Sequence, residues 1–288
     1  MKDLRARSLL FYILMLFLPF TTQANVISKS QNIKTPKDWN TFLRLRFDLS
    51  GKPVITWWKG VAYAKLTNQK LVPLMGIEGF NIGKLVPRSN GNYQWQSREV
   101  QYYTDLKTHE ILSKWDNPFT NETDKVLDVA NDPVNFANVI QDSPLHFTAT
   151  SNGYSFLNQV TILDYPNPLP VDDFPEESTG PNYLASENFT FSIKNSDIQL
   201  NTPSIPMRFS WMRTSPWLPW MKMGNVSGNL IFVASGTKLD NVTNLPKSLL
   251  SYTKLHHKKF LAPPKRFKTP NETSWTFYKK WKKNHPSY

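Results

Sequence analysis

The sequence of 288 residues contains no cysteine, which excludes disulfide bonds and lipid attachment to a processed N-terminal cysteine. It has only eleven glycines beside ten tryptophans, eleven tyrosines and eighteen phenylalanines. Beyond residue 20 no apolar run approaches the roughly twenty residues that a membrane-spanning helix needs. The mature chain must therefore be stabilised by its own hydrophobic core, which is rich in aromatic side chains.

Several motifs that identify enzymes are also missing. The sequence has no nucleophile elbow, no phosphate-binding loop and no pair of metal-binding histidines on a helix. Only His109 and His146 lie outside the C-terminal basic segment, so a structural zinc site is not expected. Mixed ligation by His109, Glu99 and Asp105 is the alternative. We therefore predict no metal and no cofactor.

Residues 1–24 have the three parts of a secretory signal peptide. Basic residues lie between positions 2 and 7, an apolar run covers 9–20, and small residues follow at 22–24. The apolar run is too short to span a bilayer as a helix. We predict an exported protein, periplasmic or secreted, with an uncleaved N-terminal anchor as the alternative.

The body of the chain is predicted to be mainly β. Twenty-two prolines disfavour long helices, and short segments alternate between apolar and polar residues, as half-buried strands do. The predicted strands cover residues 41–49, 54–66, 71–86, 93–103, 109–115, 124–130, 145–150, 154–163, 188–193, 207–213 and 230–234. About ten short strands at regular spacing predict a single-domain antiparallel β-barrel over residues 35–253, closed in the manner of lipocalins and followed by a short C-terminal helical segment.

The formal net charge of +12 is concentrated near the C-terminus. Between Lys254 and Lys283 the basic residues are opposed by Glu272 alone. Thr273 or Ser274 is predicted to cap a terminal helix, so residues 254–288 form a basic segment. This segment is predicted either to dock on the barrel or to contact an anionic membrane surface. Nucleic acid is not expected as a partner of an exported chain.

The stretch from Arg98 to Asn135 contains more titratable and hydrogen-bonding groups than a sheet needs. In the strand at 93–103, one face carries Glu99 and Tyr103, and the other carries Arg98 and Tyr102. Because both faces mix charged and aromatic groups, this strand is predicted to form the wall of a polar and aromatic pocket. A surface strand with cross-strand ion pairs is the alternative.

This pocket predicts either ligand binding or acid–base chemistry. Glu99 and Asp105 are the candidate catalytic pair, because an aromatic pocket shifts the pKa of a carboxyl group. The candidate ligand-binding residues are Trp57, Trp58, Glu78, Arg98, Tyr102, Tyr103, Asn117, Asn131, Asp132, Trp211 and Trp217. We predict binding of a small apolar or aromatic molecule, with an isomerase, cyclase or hydrolase as the alternative. Asp105, Asn117 and Asp132 also suit turns, where they bond nearby backbone amides.

Four segments carry a resemblance to a known family. They are RFDLSGKPVITWWKGVAY, REVQYYTDLKTHEILSKWDNPFT with NDPVN behind it, SPWLPWMKMG, and NETSWTFYKKW. In this order they resemble the family catalogued as domain of unknown function 1838. The resemblance implies one domain from about Thr35 to Lys283 and brings no catalytic residue with it. Family members often have Gly where this chain has Thr108-His109.

Overall fold

Long alternating segments build one antiparallel sheet of nine strands. The computed structural model describes residues 36–140 and 145–286, so the predicted signal peptide at 1–24 lies outside the described residues. The strands of the sheet are β1 (Val54–Leu66), β2 (Val72–Pro87), β3 (Tyr93–Thr104), β6 (Val129–Asn131), β7 (Thr148–Ala149), β8 (Tyr154–Pro166), β9 (Asn182–Lys194), β10 (Arg208–Ser215) and β11 (Gly228–Leu239). Their order is β6-β3-β2-β1-β11-β10-β9-β8-β7. A separate hairpin consists of β4 (Lys114–Asp116) and β5 (Thr123–Lys125).

Within the described residues, four α-helices accompany the sheet. They are α1 (Pro36–Arg46), α2 (Asn195–Ile198), α3 (Lys247–His256) and α4 (Ser274–Asn284). The predicted terminal helix is α4, and the hydroxyl of Thr273 caps it by accepting a bond from the N–H of Thr276 at 3.2 Å. This cap satisfies one of the N–H groups that a helix start leaves unpaired.

The prediction of a closed barrel is wrong, because the sheet is open between β6 and β7. These two strands contain only three and two residues, so they offer little backbone for the pairing that closure requires. Irregular segments bridge the opening instead. Asn135 N–H donates to Asn271 Oδ1 at 2.8 Å, and Glu272 N–H donates to the Pro133 carbonyl at 2.9 Å. The C-terminal segment 267–276 thus lies beside the edge of the sheet at β6, where a closed barrel would have a paired strand.

The sheet nevertheless curls around an interior space. Residues of β3 and β6 near one edge and of β8 near the other line the same cavity. We call the side of the sheet that faces this cavity the concave face. Two glycines make room on it, because a Cβ at Gly83 or Gly236 would lie within 2.4 Å of the rings of Trp95 or Phe209.

Helix α1 closes one end of the concave face. Residues 41–49 were predicted as a strand, but residues up to 46 are helical. Apolar residues at 42, 43, 45 and 47 fit either period, while Pro36 at the first helical position favours a helix start. Phe42, Leu45 and Phe47 are buried against Phe191 and other residues of the sheet. Lys238 Nζ donates to the carbonyls of residues 44 and 45 at 2.8 Å each, which satisfies the C-terminal end of the helix.

A second apolar cluster closes the opposite end. Trp217, Trp220 and Met221 from the turn after β10 pack there with Trp275 and Tyr278 of α4. Tyr278 OH donates to the buried carboxylate of Glu177 at 2.7 Å. The terminal helix is therefore part of the core, and the cavity lies between the two clusters.

The opposite side of β1, β2 and β3 is covered by α3 and the residues that follow it. Leu249 and Phe260 pack there against Phe80, Val100 and Tyr102. We call this side the covered face. Neighbouring residues of one strand point alternately to the cavity and to the covered face, so strand parity decides which predicted site residues reach the cavity.

Candidate functional site

The concave face lines a cavity of about 2400 Å³ that is open to solvent. This is larger than the roughly 300–1,000 Å³ of typical small-molecule pockets. Beyond the sheet, the walls come from residues 132–138, 165–170 and 267–276. The space left between the two apolar clusters is therefore ample for a small organic molecule.

Aromatic side chains make up much of the cavity wall. Trp58, Tyr103, Phe189 and Trp211 come from four different strands. The Trp58 Nε1–H donates to Gln101 Oε1 at 2.9 Å, which fixes the plane of the indole. The rings of Trp211 and Phe189 lie 6.4 Å apart between centroids. The wall thus offers flat apolar surfaces in fixed orientations.

A charged cluster lies among these rings. Arg213 donates to Glu187 Oε1 at 2.5 Å and also to the hydroxyl of Tyr183. Glu99 Oε1 accepts a bond from Asn131 Nδ2 at 3.3 Å. The Glu99 side chain is enclosed by protein atoms, although part of it remains accessible from the cavity.

The environment of Glu99 raises the pKa of its carboxyl group toward neutral pH. Burial, helped by the negative charge of Glu187, raises the pKa of Glu99 to about 7, while Arg213 and the bond from Asn131 act in the opposite direction. Burial also raises the pKa of Tyr103, which keeps this phenol protonated. A carboxyl group that both gives and takes a proton near pH 7 can act as a general acid or base.

Four buried polar atoms on cavity-lining residues have no hydrogen-bond partner in the part of the chain that the structure describes. They are Asn131 Oδ1, Thr161 Oγ1, Trp211 Nε1 and Trp275 Nε1. Proteins pair most buried polar groups, and an unpaired one costs about 1–3 kcal/mol. Other such atoms, Gln96 Oε1, Thr179 Oγ1 and Trp220 Nε1, lie on residues that do not line the cavity, so it is the open space beside the four that marks them as candidates for ligand contacts.

Six of the residues predicted from the sequence line the cavity. They are Trp58, Glu99, Tyr103, Asn131, Asp132 and Trp211. Five of them lie on strands of the sheet. Asp132 follows β6, and its carboxylate pairs with Arg98 at 2.9 Å and Lys259 at 3.0 Å. That carboxylate is therefore already engaged.

Four predicted residues lie on the covered face. Trp57 Nε1–H donates to Glu78 Oε1 at 3.0 Å, and Lys59 lies 3.5 Å from the other oxygen of that carboxylate. Arg98 donates to the backbone carbonyls of residues 259 and 262 at 2.8 and 2.9 Å. Tyr102 OH lies 2.9 Å from Thr253 Oγ1 of α3. Arg98 and Tyr102 thus join the sheet to the segment that covers it, whereas Trp57, Lys59 and Glu78 bond to one another across β1 and β2.

The other three predicted residues stabilise local structure. Asp105 accepts bonds from the N–H groups of residues 107 and 108 at 2.7 Å each, and these bonds lower its pKa. Asn117 Nδ2 donates to Asp124 at 3.1 Å and to the carbonyl of Met221 at 3.0 Å. Trp217 donates to the Val226 carbonyl at 2.7 Å. Glu99 and Asp105 are therefore not brought together as a catalytic pair.

The sequence analysis missed several cavity residues. Arg46, Thr161, Glu187, Arg213 and Trp275 line the cavity, and the hydroxyl of Tyr183, on the same face of β9 as Glu187, accepts a bond from Arg213. A signal for two of them was present. Glu187 shares its strand face with Phe189 and Phe191, and Arg213 shares its face with Phe209 and Trp211. A charged residue on the same strand face as several aromatic residues is expected to point toward the interior of the sheet.

Neither a metal site nor a membrane helix is found in the described part of the chain. Within residues 36–140 and 145–286, no group of three or more His, Asp and Glu side chains is arranged to hold a metal ion. His109 is exposed at a turn with φ of 60°, a conformation that glycine adopts most readily. Among the described helices, none combines the length and apolar character needed to cross a bilayer.

These features define a mainly β protein in which one curved antiparallel sheet holds an internal cavity. A model of the family described as a protein of unknown function, DUF1838, matches residues 51–282. The chain therefore belongs to the DUF1838 family, which confirms the resemblance in its motifs. A search of curated proteins finds no match to the chain.

Proposed function

We propose that this protein binds a small molecule with an apolar or aromatic body in the concave cavity. The observation that carries this proposal is an unfilled space of about 2400 Å³ with aromatic walls. Protein interiors are otherwise close-packed, and a ligand that displaces water from so large an apolar-walled space removes apolar surface from water. The rings of Trp58, Phe189 and Trp211 supply surfaces for a flat ligand.

The unpartnered polar atoms support the same proposal. The side chains of Asn131, Thr161, Trp211 and Trp275 line the cavity, so small rotations bring their polar atoms toward a bound group. Each new hydrogen bond removes a penalty of about 1–3 kcal/mol. A ligand with an apolar body and a few oxygen or nitrogen atoms fits this combination of rings and polar groups.

The experiment is a ligand-observed NMR screen of aromatic compounds against the folded protein, with Trp211→Ala and Met212→Ala as the matched pair. Trp211 lines the cavity, whereas Met212 is the next residue of β10 and is exposed on the opposite side of the sheet. We expect Trp211→Ala to weaken a bound compound at least tenfold and Met212→Ala to leave its Kd unchanged. Equal effects of the two variants, or no binding by the wild type, would contradict the proposal.

A second candidate function is acid–base catalysis in the same cavity, which the near-neutral pKa of Glu99 favours. Glu99 would take a proton from the bound molecule and return it at another atom, as isomerisation or cyclisation requires. Tyr103, which lines the same cavity, is a protonated donor to developing negative charge. Asp105 has no part in this reaction, because it lies at an exposed turn.

Deuterium exchange into a bound compound in D2O tests the catalytic candidate. Glu99→Gln should abolish exchange and retain binding, whereas Glu78→Gln, on the covered face, should retain both. If Glu99→Gln removes binding and the wild type exchanges no proton of any ligand, acid–base catalysis is ruled out. Simple binding then remains as the function.

Export and contact with an anionic membrane remain proposals for the two ends of the chain. Several basic side chains of the C-terminal segment are engaged within the protein: Lys259 with Asp132, Lys280 with Glu272 and Lys282 with Glu177. The contacts to Asp132 and Glu177 support a segment that packs against the body, whereas the contact to Glu272 lies within the segment. Lys254 and Lys258 are exposed, and loss of liposome binding in Lys254→Gln with Lys258→Gln would support the membrane contact.

A further inference from the structure

Arg46 is a cation in the wall of the cavity. It is the last residue of α1, and its side chain lines the cavity. The guanidinium carbon lies 5.1 Å from the ring centroid of Phe191 and 5.8 Å from that of Phe189. Cation–π contacts of this kind hold a guanidinium in place without neutralising its charge.

The guanidinium of Arg46 has no hydrogen bond and no ion pair with any residue in the ranges 36–140 and 145–286. Other arginines near the sheet are paired. Arg44 donates to the carbonyls of residues 198, 200 and 202, Arg98 pairs with Asp132, and Arg213 pairs with Glu187. Arg46 therefore presents donors toward the cavity that the described protein does not use.

An unpaired guanidinium in this position is electrostatically unfavourable. Burial lowers the pKa of Arg46 to about 10, and the negative charge of Glu187 only partly offsets this effect. Glu187 is itself paired with Arg213, so it cannot also neutralise Arg46. With Glu99 protonated, Arg46 is an unmatched positive charge on the inner wall, whereas Lys268 and Lys279 also line the cavity but are exposed to solvent.

We propose that Arg46 anchors a carboxylate, so that the ligand of the cavity is an organic acid with an aromatic or apolar body. This inference rests on the proposed function, because it names the class of molecule bound at the same site. The planar fork of a guanidinium matches the two oxygens of a carboxylate.

The position of Arg46 also suits the rest of such a ligand. Phe189, which lies beneath the guanidinium, is 6.4 Å from the ring of Trp211 between centroids. A carboxylate bound to Arg46 therefore places an attached ring system along the aromatic wall. Arg46 precedes the residues that the family model matches, so the inference concerns this chain and not the whole family.

Calorimetric titration with 2-naphthoate and 2-naphthamide tests the proposal, because the two probes share a ring system and differ in charge. At pH 6 the carboxylate probe is ionised, since an ordinary carboxyl group titrates near pH 4. We expect 2-naphthoate to bind the wild-type protein at least tenfold more tightly than 2-naphthamide. Arg46→Gln should remove this preference, and Arg46→Lys should retain part of it.

Arg208→Gln is the matched control, because Arg208 is exposed on β10 and does not line the cavity. It should leave the preference unchanged. If the wild type binds both probes equally, or if the preference survives Arg46→Gln, the role of Arg46 is wrong and cavity binding still stands. If neither probe nor any compound of the aromatic screen binds, the proposed function fails together with this inference.

Discussion

The two faces of β1, β2 and β3 carry similar side chains and differ in what those side chains border, which is α3 and the residues after it on one side and the cavity on the other. Trp57 and Trp58 are neighbours in sequence, yet Trp57 pairs with Glu78 on the covered face and Trp58 lines the cavity. Residue type alone therefore does not distinguish a ligand-binding residue from a structural residue in this sheet.

The unpaired polar groups that bear on a site are those beside the cavity, since Gln96 Oε1 on β3 is also unpaired but does not line it. On the covered face, Tyr102 and Glu78 have partners from α3 or from neighbouring strands. On the concave face, Asn131 Oδ1 and Thr161 Oγ1 have none among the described residues, and neither has the Arg46 guanidinium. A group left unpaired beside an open space indicates function more directly than its chemical type does.

The largest expected effect comes from truncating one phenylalanine on each face. Phe80 is fully buried on the covered face, so Phe80→Ala should reduce the free energy of unfolding by about 3–5 kcal/mol. Phe189 borders the cavity and is only half-buried, so Phe189→Ala should cost about 1–2 kcal/mol. Urea unfolding measures both. A greater loss at Phe189 would mean that the cavity is a packed core.

The pH dependence of stability sharpens the comparison at a carboxyl group. Because the folded pKa of Glu99 is raised to about 7 from an ordinary 4.5, the folded state binds more protons than the unfolded state between these values. The free energy of unfolding should therefore fall as pH rises from 4.5 to 7, by up to about 3 kcal/mol from this group.

Glu99→Gln should remove this contribution, as measured by urea unfolding at several pH values. Glu78→Gln is the control, because that carboxylate is paired on the covered face, and it should leave the contribution in place. An unchanged pH profile in Glu99→Gln would show that Glu99 is well hydrated in the cavity.

A pair of threonines gives a smaller effect with different expected signs. Thr253 is fully buried, and its hydroxyl bonds the Leu249 carbonyl at 2.8 Å and meets Tyr102 OH. Thr253→Val should therefore cost about 1–3 kcal/mol of unfolding free energy. Thr161 is also buried but its hydroxyl is unpartnered, so Thr161→Val should be neutral or stabilising by up to about 1 kcal/mol. Equal losses in thermal unfolding would contradict the assignment of Thr161 as unpaired.

The smallest effect is expected at Asp105. Its carboxylate bonds the backbone of its own exposed turn and does not reach the cavity. Asp105→Asn should leave the Kd of every cavity ligand unchanged in the NMR titration. A loss of ligand binding in Asp105→Asn would show that Asp105 contributes to the binding site after all.

The sequence predicted the parts of this molecule that depend on local pattern. Alternation placed the strands at 54–66 and 93–103 correctly within a residue, and it put Glu99 and Tyr103 on one face. Long-range contacts were beyond its reach. The opening of the sheet is bridged by hydrogen bonds between segment 267–276 and residues 133–135, which are far apart in sequence. The positions of Glu78 and Arg98 on the covered face likewise depend on strand register and on residues that follow α3.

The most direct test of the central claim is a crystal structure with the tightest compound from the aromatic screen. We predict that its density lies in the concave cavity against Trp211 and Phe189, with a polar atom of the compound within about 3.2 Å of a previously unpaired protein group. Density at another surface, with the cavity empty or filled by rearranged side chains, would contradict the claim that this cavity is a binding site.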